Sequence, residues 1–475
     1  MERKNAWETY DEKSLKKLEK INAEYREFLD NGKTERECVD TIVNMIEAEG
    51  YRELEALIKE GKTIEKGDKV YSVCMNKAVV MFHIGKEPLA NGMNILGAHI
   101  DSPRLDVKQN PLFEDPDKKF ALLDTHYYGG VKKYQWVTIP LAIHGVVAKK
   151  DGTVVEVNIG EEEEDPVFFI SDLLIHLAGE QLEKKAAKVI EGEALDLIVG
   201  SRPIVLSEKE KEIDEGKAKA KEAIKAGVLD ILKETYDFEE DDFLSAELEI
   251  VPAGKAREAG FDRSMILGYG QDDRVCAFTS VKAMLDVKKT DRTVCCLLVD
   301  KEEIGSVGAT GMQSRFFENA VAELMNLTGE YSELNVRRAL ANSCMLSSDV
   351  SAAFDPSYRS CFEMKNTAFM GYGMVFNKYT GARGKSGSND ANAEYMAQLR
   401  RIFDEKGIIY QTAELGKVDV GGGGTIAYIC ALYGMNVIDS GVAVLNMHAP
   451  WEATSKADVY ETYRGYKAFA EGASI

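Results

Sequence analysis

The feature that most limits how this 475-residue chain can fold is a series of short apolar runs, several of which end at a histidine or an acid. Ala78 to Ile84 and Met93 to Ile100 open the series, and Val294 to Asp300, Ala341 to Leu346, Val437 to Asp439 and Val442 to Met447 continue it. Runs this short are too brief for most helices and fit buried strands. Helical spacing lies between and before them. Residues 13 to 30 place Leu15, Leu18, Ile21, Tyr25 and Leu29 three or four apart, and 36 to 48 do the same with Ile42, Val43, Met45 and Ile46. Strands alternating with helices predict an α/β sheet covered on both faces.

The texture changes between residues 104 and 250. Alternating segments at Leu141 to Ala148 and Thr153 to Ile159 precede an acidic run, Glu161 to Asp165, and a charged helical stretch from about 208 to 234. This predicts an inserted domain at 104–250 that splits a first domain into 1–103 and 251–475.

Bulk charge restricts partners. Lys and Arg total 59 against 80 Asp and Glu, a net charge of −21 that repels nucleic acid and anionic membranes and argues against polyphosphate partners. The eight cysteines are scattered, with no CxxC, and read as reduced thiols. The first fifteen residues lack an apolar signal core, and no stretch approaches the ~18 apolar residues of a membrane span. A cytoplasmic location without a membrane partner is the expectation.

Five places carry candidate chemistry. Gly97-Ala-His99-Ile-Asp101 ends an apolar run in His-x-Asp, where Asp101 can accept a hydrogen bond from one ring nitrogen of His99 while the other binds metal. Gly268-Tyr-Gly-Gln-Asp272-Asp273-Arg274 sets acids after two glycines, either to cap a helix or to bridge two metals through Asp272. Val299-Asp-Lys-Glu302-Glu303-Ile-Gly drives a buried strand into adjacent glutamates, which in an extended segment point apart, one toward metal and one toward water. Ser348-Asp349 and Met447-His448 close two further runs. Together these supply the nitrogen and oxygen donors that zinc accepts. Two divalent ions offset the charges of Asp272, Glu303 and Asp349, leaving Glu302 free to take a proton from water as general base. That is the chemistry of peptide hydrolysis.

With these residues in hand, the order His-x-Asp, Asp-Asp-Arg, Glu-Glu-Ile-Gly-Ser, Ser-x-Asp and Met-His resembles the aspartyl aminopeptidase family of di-zinc exopeptidases. Tyr128-Gly-Gly130, Ile175-His-Leu177, Phe243 to Pro252 and Gly423-Gly-Thr425 follow the family's order and spacing. The resemblance implies a mixed-sheet, zinc exopeptidase-like catalytic domain carrying an inserted β-rich dimerisation domain. It implies one zinc ion on His99, Asp272 and Asp349 and a second on Asp272, Glu303 and His448, with Asp272 bridging and Asp101 orienting His99. It further implies a homododecamer built from dimers that acts on short peptides, with His176 offered to a neighbouring subunit's site. Lys378 lies near a family lysine and would support a preference for acidic N-terminal residues. The family's Met-Ala-His-Ala after the fourth ligand is here Val350-Ser-Ala-Ala. Alternatives are a related di-metal hydrolase, such as a carboxypeptidase or deacylase, and a non-catalytic metal-binding shell.

Overall fold

The computed structural model describes residues 4–117 and 119–473. The chain forms two compact units: Met1–Ser102 with Ala256–Met447 and Trp451–Ile475, and Pro103–Lys255 with His448–Pro450.

A nine-stranded sheet organises the first unit. Its strands are β1 (Arg52–Glu53), β2 (Lys69–Cys74), β3 (Ala78–His83), β4 (Met93–His99), β5 (Thr293–Val299), β6 (Cys344–Ser348), β7 (Met374–Asn377), β8 (Tyr410–Thr412) and β9 (Asn436–Gly441). In space they run β1-β2-β3-β5-β4-β6-β9-β7-β8. The central four, β5-β4-β6-β9, are mutually parallel, and antiparallel neighbours β3 and β7 flank them. Val299 pairs with His99 and Ser347 with Gly97, so β4, β5 and β6 all deliver their carboxyl ends to one edge. In such sheets that edge is where ligand sites form.

Both faces are covered, as the alternation of helices and strands requires. Helices α1 (Glu12–Asn31), α2 (Glu35–Ala48), α3 (Gln271–Leu285), α6 (Ala393–Lys406) and α7 (Lys456–Gly472) pack with Val79, Met81, Leu96, Cys296 and Leu298. Helices α4 (Phe316–Leu327) and α5 (Glu333–Ala341) pack with Val80, Phe82, Ile95, Cys295 and Leu297 on the opposite face. The period of two along a strand sends Cys295 and Cys296 to different cores. Local signals fix the helix starts. The Asp11 side chain accepts from the Ser14 amide at α1, and Thr34 and Glu37 form a reciprocal capping box at α2. Phe278 of α3 sits 5.4 Å from the Tyr25 ring and 5.6 Å from Phe28, joining α3 to α1 through aromatic burial.

Two strand expectations shift. Ala341 closes α5 and the strand begins only at Cys344, and the run from Val442 is a strand only over Ala443–Leu445. The latter belongs to a separate five-stranded sheet with Arg257–Ala259, Met265–Gly268, Glu452–Ser455 and Ser351–Ala352.

The second unit holds a six-stranded, wholly antiparallel sheet ordered Val154–Ile159, Leu141–Ala148, Ala246–Pro252, Arg104–Glu114, Ala121–Tyr128, Leu197–Gly200. Its charged helical stretch is divided into Glu208–Glu212, Asp214–Lys221 and Ala223–Tyr236. Among the described residues no helix is long and apolar enough to cross a membrane.

One buried acid in the main sheet has a readable pH signature. Asp439 of β9 accepts a 2.5 Å hydrogen bond from the Thr425 hydroxyl. Burial pushes its carboxyl up to about 7, with the Thr425 bond opposing and the charge of Glu302 adding. The folded chain therefore keeps this proton up to that pH, whereas an unfolded Asp loses it near ~3.9. Between those values the unfolded state binds fewer protons, so this group makes stability fall as pH rises. Asp439→Asn keeps an acceptor for Thr425 and cannot ionise. In the metal-free protein it should make the fall in unfolding free energy between roughly pH 4 and 7 shallower, by up to about 1.4 kcal/mol per pH unit. Denaturant titrations across that range measure the slope, and an unaltered slope would mean that Asp439 is ionised in the fold.

Candidate metal centre

The carboxyl ends of β4, β5 and β6 and the start of α3 gather His99 with six acids, of which Asp101, Asp272 and Asp273 are buried and Glu302, Glu303 and Asp349 half-buried. His99 is the last residue of β4 and fully buried. Its Nδ1 lies 3.0 Å from the carbonyl oxygen of Asp101 and 3.3 Å from Asp101 Oδ1. A carbonyl only accepts, so Nδ1 carries a proton, and Nε2, the nitrogen turned to the acids, lies 3.2 Å from Asp272 Oδ1. The ring nitrogen thus meets Asp101 twice, at the carboxylate the spacing predicts and, slightly nearer, at the main-chain oxygen. The carboxylate also holds backbone. Its Oδ1 accepts from the Glu302 amide and its Oδ2 from the Glu303 amide, both at 3.1 Å.

The two glutamates do not continue β5 in extended form, as expected from the sequence. The chain turns at Lys301, whose φ is 67°, into a single 3-10 turn, Glu302–Ile304, closed by Gly305 at φ 97°. Both side chains therefore approach His99 from one turn instead of pointing apart. Two sets of potential ligand atoms lie within 4.8 Å of one another, His99 with Asp272 and Glu303, and His99 with Glu302 and Asp349.

Asp272 is not a helix cap. No side-chain cap bond forms at α3, and Asp272 and Asp273 have non-helical backbone angles, with a cis peptide between them. The segment is held from both sides: the Ser102 hydroxyl donates to the Asp272 carbonyl at 2.6 Å, and the Asp272 amide donates to Glu452 Oε2 at 3.0 Å. Gly270 precedes it at φ 68°, where a Cβ would fall 1.7 Å from the buried Arg274 guanidinium. Asp349 follows β6, its amide donating to the Ser440 carbonyl, and a Cβ on Gly441 would meet the Asp349 carbonyl at 2.0 Å. Ser102, Glu452 and Gly441 were not foreseen. Glu452 lies four residues after His448 in a sequence that marks it only as an acid after Pro-Trp, yet it is buried.

Electrostatics show what this cluster favours. Burial raises the Asp349 carboxyl well above its ordinary range, and the charges of Asp272 and Glu302 raise it further. Burial likewise raises Asp273, with Asp272 adding to it. For His99 burial works toward neutrality, but hydrogen bonds to Asp101 and Asp272 overcome it and hold the ring well above its usual pKa. Crowded buried carboxylates around one imidazole fit a divalent cation, which would relieve their repulsion with the donors zinc accepts.

The remaining candidates are carried by other segments. His448 is carried by the second unit at φ 65°, its Nδ1 3.0 Å from the Gly130 carbonyl, which fixes its proton there. His176 sits in the exposed turn Ile175–Leu177 of that unit. Lys378 pairs with Asp390 at 2.6 Å, and Lys385 takes the other oxygen at 2.9 Å. In the glycine run 421–424 close packing restricts the first two positions: a Cβ at Gly421 would reach the Leu415 carbonyl at 1.8 Å, and one at Gly422 the Ala382 backbone at 2.7 Å.

Comparison with known proteins agrees with this chemistry. The family model described as aminopeptidase I zinc metalloprotease (M18) matches residues 28–470. A Clostridium acetobutylicum protein named probable M18 family aminopeptidase 1 is 61% identical over 468 residues, covering 98% of each chain. The crystal structure of an M18-family aminopeptidase from Thermotoga maritima has a TM-score of 0.92 at 44% identity, with 100% of both chains covered. The S. cerevisiae mApe1 dodecamer shares the fold at 20% identity, with a TM-score of 0.75 over 95% of this chain and 96% of that one. Full-length identity of this order, with buried acids gathered on a strand-end histidine, leaves one conclusion: the chain belongs to the M18 family of aspartyl aminopeptidase-like zinc aminopeptidases.

Proposed function

We propose that the enzyme removes N-terminal residues from short peptides at a centre of two zinc ions. His99, Asp272 and Asp349 would hold one ion and Asp272, Glu303 and His448 the other, Asp272 serving both. The observation that carries this reading is the surplus of acid around His99. Four carboxylates fall within ligand distance of that ring or of each other's partners. Three suffice as ligands from this unit, and the fourth, Glu302, is available to move protons. When bound, such ions polarise the scissile carbonyl and make water more acidic. Glu302 takes the proton from the attacking water and returns it to the leaving amine. Asp101 fixes the turn that presents Glu302 and Glu303, and Ser102 with Glu452 fixes the backbone of Asp272.

A preference for acidic N-terminal residues draws on Lys378. Lys378 and Lys385 share the single carboxylate of Asp390, so one positive charge is left over at that place. We infer assembly into a homododecamer through dimers of the second unit, with His176 presented to a neighbouring subunit. The turn that carries His176 is apolar and open: Leu174 is 57% exposed, Ile175 62% and Leu177 69%. Exposed apolar side chains this close together call for a partner surface, and the yeast relative is a dodecamer. A cytoplasmic site of action accords with eight cysteines that are all free thiols.

Glu302→Gln preserves shape and should retain zinc, measured by elemental analysis, while kcat on aminoacyl anilides falls by about 10²–10⁴; full activity in that variant would remove Glu302 as the base. Lys378→Met should lower kcat/KM on substrates with N-terminal Asp or Glu relative to Ala or Leu, and an unaltered ratio across such a panel would discard the acidic pocket. Leu174→Asp combined with Leu177→Asp should reduce the mass found by light scattering, and a variant of wild-type mass would place the assembly surface elsewhere.

A further inference from the structure

A groove lined by none of the candidate ligands runs against the charge of the rest of the chain. It encloses about 550 Å³ between α1, the end of α3, the end of α6 and α7. Lys17 and Lys20 enter it from α1, Lys282 from α3 and Lys288 from just beyond, Lys406 from α6, and Lys467 from α7. With Arg464 these make seven cations, facing the three carboxylates of Glu24, Asp286 and Glu471. With Arg464 held by Glu461 in the wall, the six lysines outnumber the three carboxylates by three in a protein of net charge −21.

Internal pairing does not consume this excess. Glu24 lies 2.8 Å from Lys282 and 3.8 Å from Lys20, and Glu471 lies 3.6 Å from Lys467. Asp286 is taken by the Tyr463 hydroxyl at 2.5 Å. Arg464 is part of the wall, donating to both oxygens of Glu461 at 2.7 and 2.9 Å and to the carbonyls of Lys406 and Gly407. Lys17, Lys288 and Lys406 form no ion pair among the described residues. Lysines held around one concavity on four separate elements repel one another unless an anion sits between them.

We propose that this groove binds a compact phosphoryl chain, a linear triphosphate, free or as part of a nucleotide. Its charge of about −4 is opposite in sign and similar in size to the excess of three positive charges in the lining, and ammonium groups suit it as strongly hydrated point charges. The rest of the chain selects for compactness. A nucleic acid would run out of the groove into the field of an acidic protein, whereas a ligand that stays within a Debye length of about 8 Å from the lysines is screened from it. The local site and the global charge are therefore compatible, although the composition alone argues against phosphate ligands.

Calorimetric titration of the full-length, zinc-loaded protein in low-salt buffer with inorganic tripolyphosphate, and separately with ATP, tests this. Saturable binding of one ligand per chain with a Kd below about 1 mM is expected, weakening at least about tenfold when salt rises from 50 to 200 mM. The combined variant Lys17→Gln, Lys288→Gln, Lys406→Gln should lose at least tenfold in affinity and keep wild-type peptidase rates, since none of the three is near the candidate ligands in sequence or role. Equal affinities for the two probes assign binding to the phosphoryl chain alone, and tighter ATP binding adds the nucleoside; both support the site. Absence of saturable binding, or binding undiminished in the variant, overturns it, the latter placing the anion on zinc or elsewhere. A second measurement needs no variant: tripolyphosphate should protect Lys17, Lys288 and Lys406 of the wild type from acetylation, read by peptide mass spectrometry, and undiminished labelling of these lysines overturns the proposal.

Discussion

Everything at the centre depends on Asp101. Its carbonyl fixes the proton of the His99 ring, and its two carboxylate oxygens take the amides of Glu302 and Glu303. One residue thus locks the end of β4 to the turn that follows β5. A carboxylate accepting two amides is a charge-assisted contact, stronger than a neutral hydrogen bond, and here it is shielded from water. It reinforces a 3-10 turn entered through a left-handed non-glycine residue, Lys301, whose own amide donates to Asp300 Oδ1 at 2.7 Å. The parallel register of β4 and β5 supplies the approach, since Val299 lies directly beside His99.

The metal centre is also a place where folding works against itself. Several acids are buried together, at a cost that apolar packing elsewhere must offset. Both faces of the main sheet carry large cores, and that is where the offset comes from. A cation then converts the same repulsion into affinity, so the site is less stable empty than filled.

Much of this was legible in the chain because it follows from periodicity. Apolar runs ending in His99, Asp349 and the Glu302-Glu303 pair predict strand ends, and the parallel central strands gather them. What escaped was set by backbone angles and distant partners. Adjacent glutamates read as extended because nothing in their side chains announces the turn at Lys301. Glu452 stands 180 residues from the amide it binds, and no local pattern links the two. The shortened strand at Ala443–Leu445 has the same origin: Asn446 turns at φ 60°, although the apolar run continues on either side of it.

The opposite orientations of Cys295 and Cys296 have a practical consequence. Neighbours in sequence, these thiols lie in separate cores on the two sides of the central sheet, and burial raises both above their ordinary pKa. Neither can react as a thiolate until the layer covering it lifts away. The pair is a built-in gauge of sheet opening, one sensor per side, whereas exposed Cys361 reacts without any opening at all. Modification rates at the three positions would separate lifting of either helical layer from loosening at the surface.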